Sequence, residues 1–152
     1  MTRVHHVKKA RKADKATGIK KGESYFWWKF RFGSKHKSKT TPARSQLTQS
    51  EFLSTIYDLE DRLGALSAEG STREDVQSDV DSIKDELEAL ASQCEDNRSN
   101  MPESLQDSES GQLLETRAEA VQNMISALES IDLEDNLEDA VTELQGISYE
   151  GD

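Results

Sequence analysis

The stretch Ser24-Tyr25-Phe26-Trp27-Trp28-Lys29-Phe30-Arg31-Phe32-Gly33-Ser34 holds both tryptophans and three of the four phenylalanines of a 152-residue chain. At the two-residue period of a β-strand it separates into two rows. Phe26, Trp28, Phe30 and Phe32 form an aromatic row that asks for a core. Tyr25, Trp27, Lys29 and Arg31 form a mixed aromatic and basic row. Gly33-Ser34 fits a two-residue type II′ turn, with Lys35 to Thr40 as the return strand and Pro42 as its stop. In that register Lys35, Lys37 and Lys39 join the Phe/Trp face, while His36 and Ser38 join Tyr25 and Trp27. A change of one residue in the loop exchanges the two sets. A two-stranded hairpin alone is marginal in water, so this one must pack, dimerise or bind.

Upstream, Val4, Val7 and Ala10 fall at helical spacing, with Ala13 and Ala16 continuing the row as far as Gly18. The pattern predicts a short helix over 2–17 that is marginal in isolation; a solvated leader is the alternative.

Charge divides the chain. Residues 1–45 carry 14 Lys and Arg against Asp14 and Glu23. Residues 46–152 carry Arg62, Arg73, Lys84, Arg98 and Arg117 against 28 acids. The overall −11 thus averages a strongly basic arm and a strongly acidic body. A basic arm expects an anionic partner, unless the two halves neutralise each other. Aromatic rings interleaved with Lys and Arg suit nucleic acid, through stacking on bases and neutralisation of phosphates. The candidate contact residues are Lys8, Lys9, Arg11, Lys12, Lys20, Lys21, Tyr25, Trp27, Lys29, Arg31, Lys35, Lys37 and Lys39. Composition favours neither DNA nor RNA.

The body reads as helical seams. Phe52, Ile56, Leu59, Leu63 and Leu66 step by four and three within a helix over 48–66, with Ser45 or Thr48 as cap. Val76, Val80, Ile83, Leu87, Leu90 and Cys94 do the same in a second helix, opened by a capping box at Ser71-Thr72-Arg73-Glu74. The short link between them predicts an antiparallel helical hairpin over 46–98. Residues 99–111 read as a loop, with one helical turn starting at Pro102. Leu114, Ala118, Val121, Ile125 and Leu128 mark a third helix over 112–131, with Met124 beside the seam. A last helix runs over 133–144, capped by Asp132, and 148–152 is a tail. The expected fold is therefore α-rich α+β: an N-terminal basic β-hairpin followed by an acidic bundle of three to four helices with coiled-coil spacing.

Apolar residues are only 34% of the chain, which suits narrow seams better than a large core. His5, His6, His36 and Cys94 are the only soft metal ligands, and no zinc spacing joins them. The sequence contains no phosphate loop, nucleophile elbow or kinase motif, so no enzyme activity and no cofactor is expected. No apolar run approaches a membrane span, and a lone cysteine fits a reducing cytoplasm. Three functional readings follow. The first is a non-enzymatic nucleic-acid-binding accessory protein acting through residues 1–45. The second is an acidic interaction module that docks on a basic protein or mimics a polyanion. The third is a structural or scaffold component.

Residues 18–33, Gly-Ile-Lys-Lys-Gly-Glu-Ser-Tyr-Phe-Trp-Trp-Lys-Phe-Arg-Phe-Gly, followed by Ser38-Lys39-Thr40 and Ser45-Gln46-Leu47-Thr48, resemble small bacteriophage proteins of uncharacterised activity. So does Asn100-Met101-Pro102-Glu103-Ser104-Leu105-Gln106 with Gly111-Gln112-Leu113-Leu114-Glu115. The resemblance covers about a third of the chain. It implies a phage context, hence a host-cell cytoplasm, and no particular chemistry. The hairpin is also similar to the basic aromatic hairpins of integrase arm-binding domains. No recombinase catalytic domain follows it here, so that likeness does not imply recombination.

Overall fold

A computed structural model describes residues 2–151; Met1 and Asp152 lie outside it. The chain forms two compact units, 1–58 and 59–152. The fold is α-rich α+β, as the sequence patterns predict. The division does not fall at 45/46, where the charge changes sign. It falls inside the first helix, because that helix supplies core residues to both units.

The first unit is built on a three-stranded antiparallel sheet in the order β1 (His5–Val7), β2 (Tyr25–Lys29), β3 (Lys35–Ser38). The predicted helix over 2–17 is not formed. Its alanine-rich stripe buries little, whereas Val7 and His5 gain cross-strand partners in Tyr25 and Trp27. Tertiary pairing outweighs a weak helical pattern here, and the third strand removes the marginality of a lone hairpin. The pairing continues irregularly beyond β1. Ala10 N–H donates to the Glu23 carbonyl, Gly22 N–H donates back to Ala10, and Asp14 bridges Ile19. Gly18 (φ +67°) turns the chain between those last two, in a backbone region that side chains rarely adopt.

The β2–β3 connection corrects the expected register. Lys29 pairs with Lys35, which leaves five loop residues, Phe30 to Ser34, not two. Phe30 and Gly33 close a turn through Gly33 N–H to the Phe30 carbonyl (3.2 Å). Gly33 is not in the left-handed region that a II′ turn demands at that position. The parity change moves Lys35 and Lys37 to the Tyr25/Trp27 side, and His36 and Ser38 to the Phe26/Trp28 side. The aromatic row is not uniformly core either. Trp28 is buried (4% exposed), Phe26 and Phe30 are half-buried, and Phe32 at the loop apex is 88% exposed.

Trp28 anchors the unit. Its Nε1 donates to the Gln46 carbonyl (3.1 Å) in a 3-10 turn at Arg44–Leu47. Ser54 Oγ donates to the Ser45 carbonyl (3.1 Å), which joins that turn to α1 (Glu51–Ala65). Ser50 caps α1, since its hydroxyl accepts from Leu53 N–H. The predicted caps Ser45 and Thr48 lie too far upstream.

The second unit holds the end of α1 with α2 (Arg73–Ser99), the single turn α3 (Glu103–Gln106), α4 (Glu109–Ser130) and α5 (Leu137–Gln145). Thr72 caps α2 in a reciprocal box with Asp75, one residue later than predicted. Every predicted α2 seam residue is buried: Val76, Val80, Ile83, Leu87, Leu90 and Cys94. The long partner of α2 is α4, however, not α1. Lys84 pairs with Glu129 and Arg98 with Glu115, so partner numbers fall as α2 advances and the two helices are antiparallel. A 27-residue helix and a 22-residue helix match in length, whereas only the end of α1 is available, tied by Arg62 to Glu86 (2.5 Å) and Ser82 (3.1 Å). The last helix starts at Leu137, capped by Asn136 instead of Asp132. Gln145 Nε2 secures it to the Leu66 carbonyl (2.7 Å).

Gly111, buried in the first turn of α4, has no room for a side chain, because a Cβ there would run into the Gln106 backbone. Gly111→Ala is expected to destabilise by about 1–3 kcal/mol, although alanine is the better helix former. Gly64→Ala in α1 meets nothing within 4 Å. It should stabilise by up to about 1 kcal/mol. Thermal unfolding followed by helical circular dichroism checks both signs.

Candidate nucleic-acid interface

The pairing register gathers five of the expected residues, Tyr25, Trp27, Lys29, Lys35 and Lys37, on one sheet face. Trp27 lies opposite His5 on one side and Lys37 on the other; Tyr25 and Lys29 flank it along β2, and Lys35 faces Lys29. Trp27 is not an open stacking platform. The His5 ring stacks on it (centroids 4.2 Å, 10° apart), and Lys35 Nζ lies 3.6 Å from the ring centroid. The two partners come from the strands on either side of β2, His5 from β1 and Lys35 from β3. Trp27 is half-buried, and both contacts are made to its ring within the sheet.

All three histidines act as stacking partners for β2. His6 lies on Phe26 (4.6 Å) and His36 on Trp28 (5.5 Å), as His5 does on Trp27. Among the described residues no three His, Cys, Asp or Glu side chains gather as a metal site.

The remaining basic residues divide by environment. Arg31 is not on the strand face; it sits in the β2–β3 loop with its guanidinium 5.2 Å from the Phe32 ring. Lys8, Lys9, Arg11 and Lys12 follow β1, and Lys20 and Lys21 precede β2; all six are exposed. Lys9, Arg11, Lys12 and Lys37 line an open cleft of about 740 Å³ at the Tyr25 end of the sheet. Lys37 and Lys39 are partly neutralised, by Asp14 (2.5 Å) and Glu23 (3.4 Å). The only two acids of residues 1–45 are thus both committed to lysines of the return strand.

A second basic cleft, of about 670 Å³, lies at the other end of β2. It adds Arg3, Arg44 and Tyr57 to Lys29, Phe30 and Arg31. Sequence reading placed none of the first three in a site. Tyr57 reads as part of the apolar face of α1, and Arg3 and Arg44 stand far from the aromatic stretch in the chain. The guanidinium of Arg44 stacks 4.1 Å from the Tyr57 centroid.

No family model, curated protein or solved structure matches the chain. The candidate interface rests on its own geometry.

The hydrogen bond from Lys37 holds the Asp14 carboxyl below its ordinary value of 3.8, aided by the Ala16 and Thr17 amides and opposed by burial. Glu23 is held below 4.5, first by the Lys20 N–H and then by Lys39. Depressed folded values stabilise the fold above the unfolded pKa and lose that contribution as pH falls through the folded pKa. Both tryptophans lie in the first unit, so tryptophan fluorescence reports on it alone. Its unfolding midpoint should be flat between about pH 7 and 5 and fall below about pH 4. Asp14→Asn should lower the plateau and shallow the fall.

Proposed function

We propose that this protein is a non-enzymatic nucleic-acid-binding accessory protein whose basic sheet grips phosphates. The observation that carries the reading is the Lys29–Lys35 pair. The two lysines stand directly opposite each other across β2 and β3, with no carboxylate in ion-pair range among the described residues. Directly opposed like charges cost sheet stability, and a phosphate between them reverses the sign of that term. The surroundings extend the argument: residues 1–58 carry 14 bases against four acids. A polyanion is the partner that such a surface recognises.

The contact mode differs from stacking on Trp27. Lys29, Lys35 and the exposed lysines around β1 supply phosphate contacts, and Phe32 at the apex, beside Arg31, supplies the exposed ring. The resemblance to phage proteins supports an accessory role in a host-cell cytoplasm. The acidic helices carry a second reading. Arg62, Arg73, Lys84 and Arg98 are already paired with carboxylates of the second unit, which has 26 acids in all. The surplus suits a basic protein partner, and a protein that bound such a partner but no nucleic acid would favour this reading instead.

The test is binding of the whole chain to labelled single- and double-stranded DNA and RNA over a range of salt. Affinity should fall steeply with salt, with a log–log slope of about 0.7–0.9 per phosphate contact. Lys29→Gln should weaken binding about threefold to tenfold and leave the unfolding midpoint unchanged or raised. Absence of salt-sensitive binding to any of the four would refute the proposal.

A further inference from the structure

Phe32 is 88% exposed, and among the described residues no other phenylalanine, tyrosine or tryptophan is exposed. A single exposed apolar side chain is ordinary on a protein surface. The position of this one sets it apart. Phe32 is the middle residue of the five-residue loop between β2 and β3, and the Lys29–Lys35 pair closes the base of that loop. Arg31 is its neighbour, with the guanidinium 5.2 Å from the ring centroid. Lys29, Arg31 and Lys35 are all exposed, with no carboxylate in ion-pair range among the described residues. The loop thus combines one exposed ring with a collar of cations, and it carries no acid.

The apex is held in shape before any partner arrives. Gly33 N–H donates to the Phe30 carbonyl (3.2 Å), which closes the turn 30–33 around Phe32. Phe30 is half-buried and edge-on to His36 (5.4 Å), so it ties that turn to β3. A Cβ on Gly33 would stand 3.4 Å from the Phe30 Cβ, so the two ends of the turn are in close contact. Little backbone freedom is left to lose on binding. The other rings of β2 are engaged inside the sheet: His5 lies on Trp27, His6 on Phe26 and His36 on Trp28. A surface that holds single strands uses several open rings, on which successive bases stack. A lone ring at a loop apex suits a different task, entry between two base pairs, for which phenylalanine is one of the usual wedges.

We propose that Phe32 is a wedge that enters a base-pair step of duplex DNA and kinks it, while Lys29 and Arg31 hold the flanking phosphates. The inference rests on the nucleic-acid reading above and sharpens it to double strands. Prying two base pairs apart costs stacking. The wedge therefore selects places where stacking is weak, such as TA steps and mismatches. Its specificity comes from deformability, with no base edge read by hydrogen bonds.

The full chain and three variants are compared on a labelled duplex of about 20 base pairs with one central TA step. Phe32→Ala removes the ring, Phe32→Leu keeps an apolar wedge, and Lys20→Ala/Lys21→Ala removes charge from the turn before β2. Because Phe32 is exposed, its replacement should leave the unfolding midpoint unchanged. With the parent chain, energy transfer between end labels should report a bend of about 20–90°, and a fluorescent adenine analogue at the central step should brighten as it unstacks. Phe32→Ala should lose both signals and at least about fivefold in affinity. Phe32→Leu should keep much of both signals. Lys20→Ala/Lys21→Ala should weaken binding a few-fold and keep the bend at saturation. A central mismatch should tighten binding by the parent chain at least about fivefold, and by Phe32→Ala hardly at all. Salt-sensitive binding by the parent chain with no bend and no unstacking would remove the wedge and leave the general interface standing. Equal signals from the parent and Phe32→Ala would do the same. A loss in Phe32→Ala confined to single strands would assign the ring to unpaired bases and overturn the wedge. No binding of the parent chain to any nucleic acid would remove both readings, and capture by phosphatidylserine vesicles in that case would assign the apex to a lipid surface.

Discussion

The buried indole of Trp28 is the constraint on which the first unit depends. A tryptophan carries more apolar surface than any other side chain, together with an N–H that needs a partner once it leaves water. Both needs are met in one place, with the ring under the sheet and the N–H on the Gln46 carbonyl. Burying Trp28 decides which side of β2 faces inward. Period two then sends Tyr25, Trp27 and Lys29 to the other side. The same hydrogen bond fixes the turn that carries Arg44, and the following Ser45–Ser54 bond sets the start of α1 and with it Tyr57. One core side chain thereby positions both the outward sheet face and the walls of the basic cleft.

Electrostatics supplies the second layer of organisation. The first unit uses its scarce acids locally, Asp14 on Lys37 and Glu23 on Lys39, and leaves Lys29 and Lys35 facing each other. These groups are exposed, so each pair contributes little to stability on its own. Their value lies in selecting a partner. Folding needs some local neutralisation to hold β3 beside the turns, and the charge left over is spread over the segment between β1 and β2, the β2–β3 loop and the clefts at the two ends of β2. The second unit inverts the pattern: its few bases bridge helices, and its many acids face water. The seams can be narrow because the α2–α4 pair is long and continuous, with Val121, Ile125 and Leu128 buried along α4.

The sequence by itself determined whatever repeats locally. The three-and-four stepping of α2 is complete in Val76 to Cys94, and all six residues are buried. The aromatic strand and its return are legible from alternation and a glycine. The charge division is a matter of counting, and most of the cationic residues of the candidate interface follow from it.

Only the tertiary structure decided the relations between distant segments. Residues 5–7 became a strand because β2 offered an edge, a gain that no local window contains. The hairpin register turned on the loop holding five residues instead of two, and that parity moved Lys35 and Lys37 across the sheet. Phe32 shares its alternation with Trp28 yet lies at an apex where the strand has ended, so the period no longer applies to it. The partner of α2 was settled by matching helix length, not by proximity in the chain. Arg3, Arg44 and Tyr57, separated by more than 50 residues from first to last, meet in one cleft only because the sheet, the 3-10 turn and α1 close on Trp28. Local periodicity fixes which face of an element is apolar. Which elements those faces meet is a long-range choice, made by the burial and hydrogen-bond satisfaction of the whole unit.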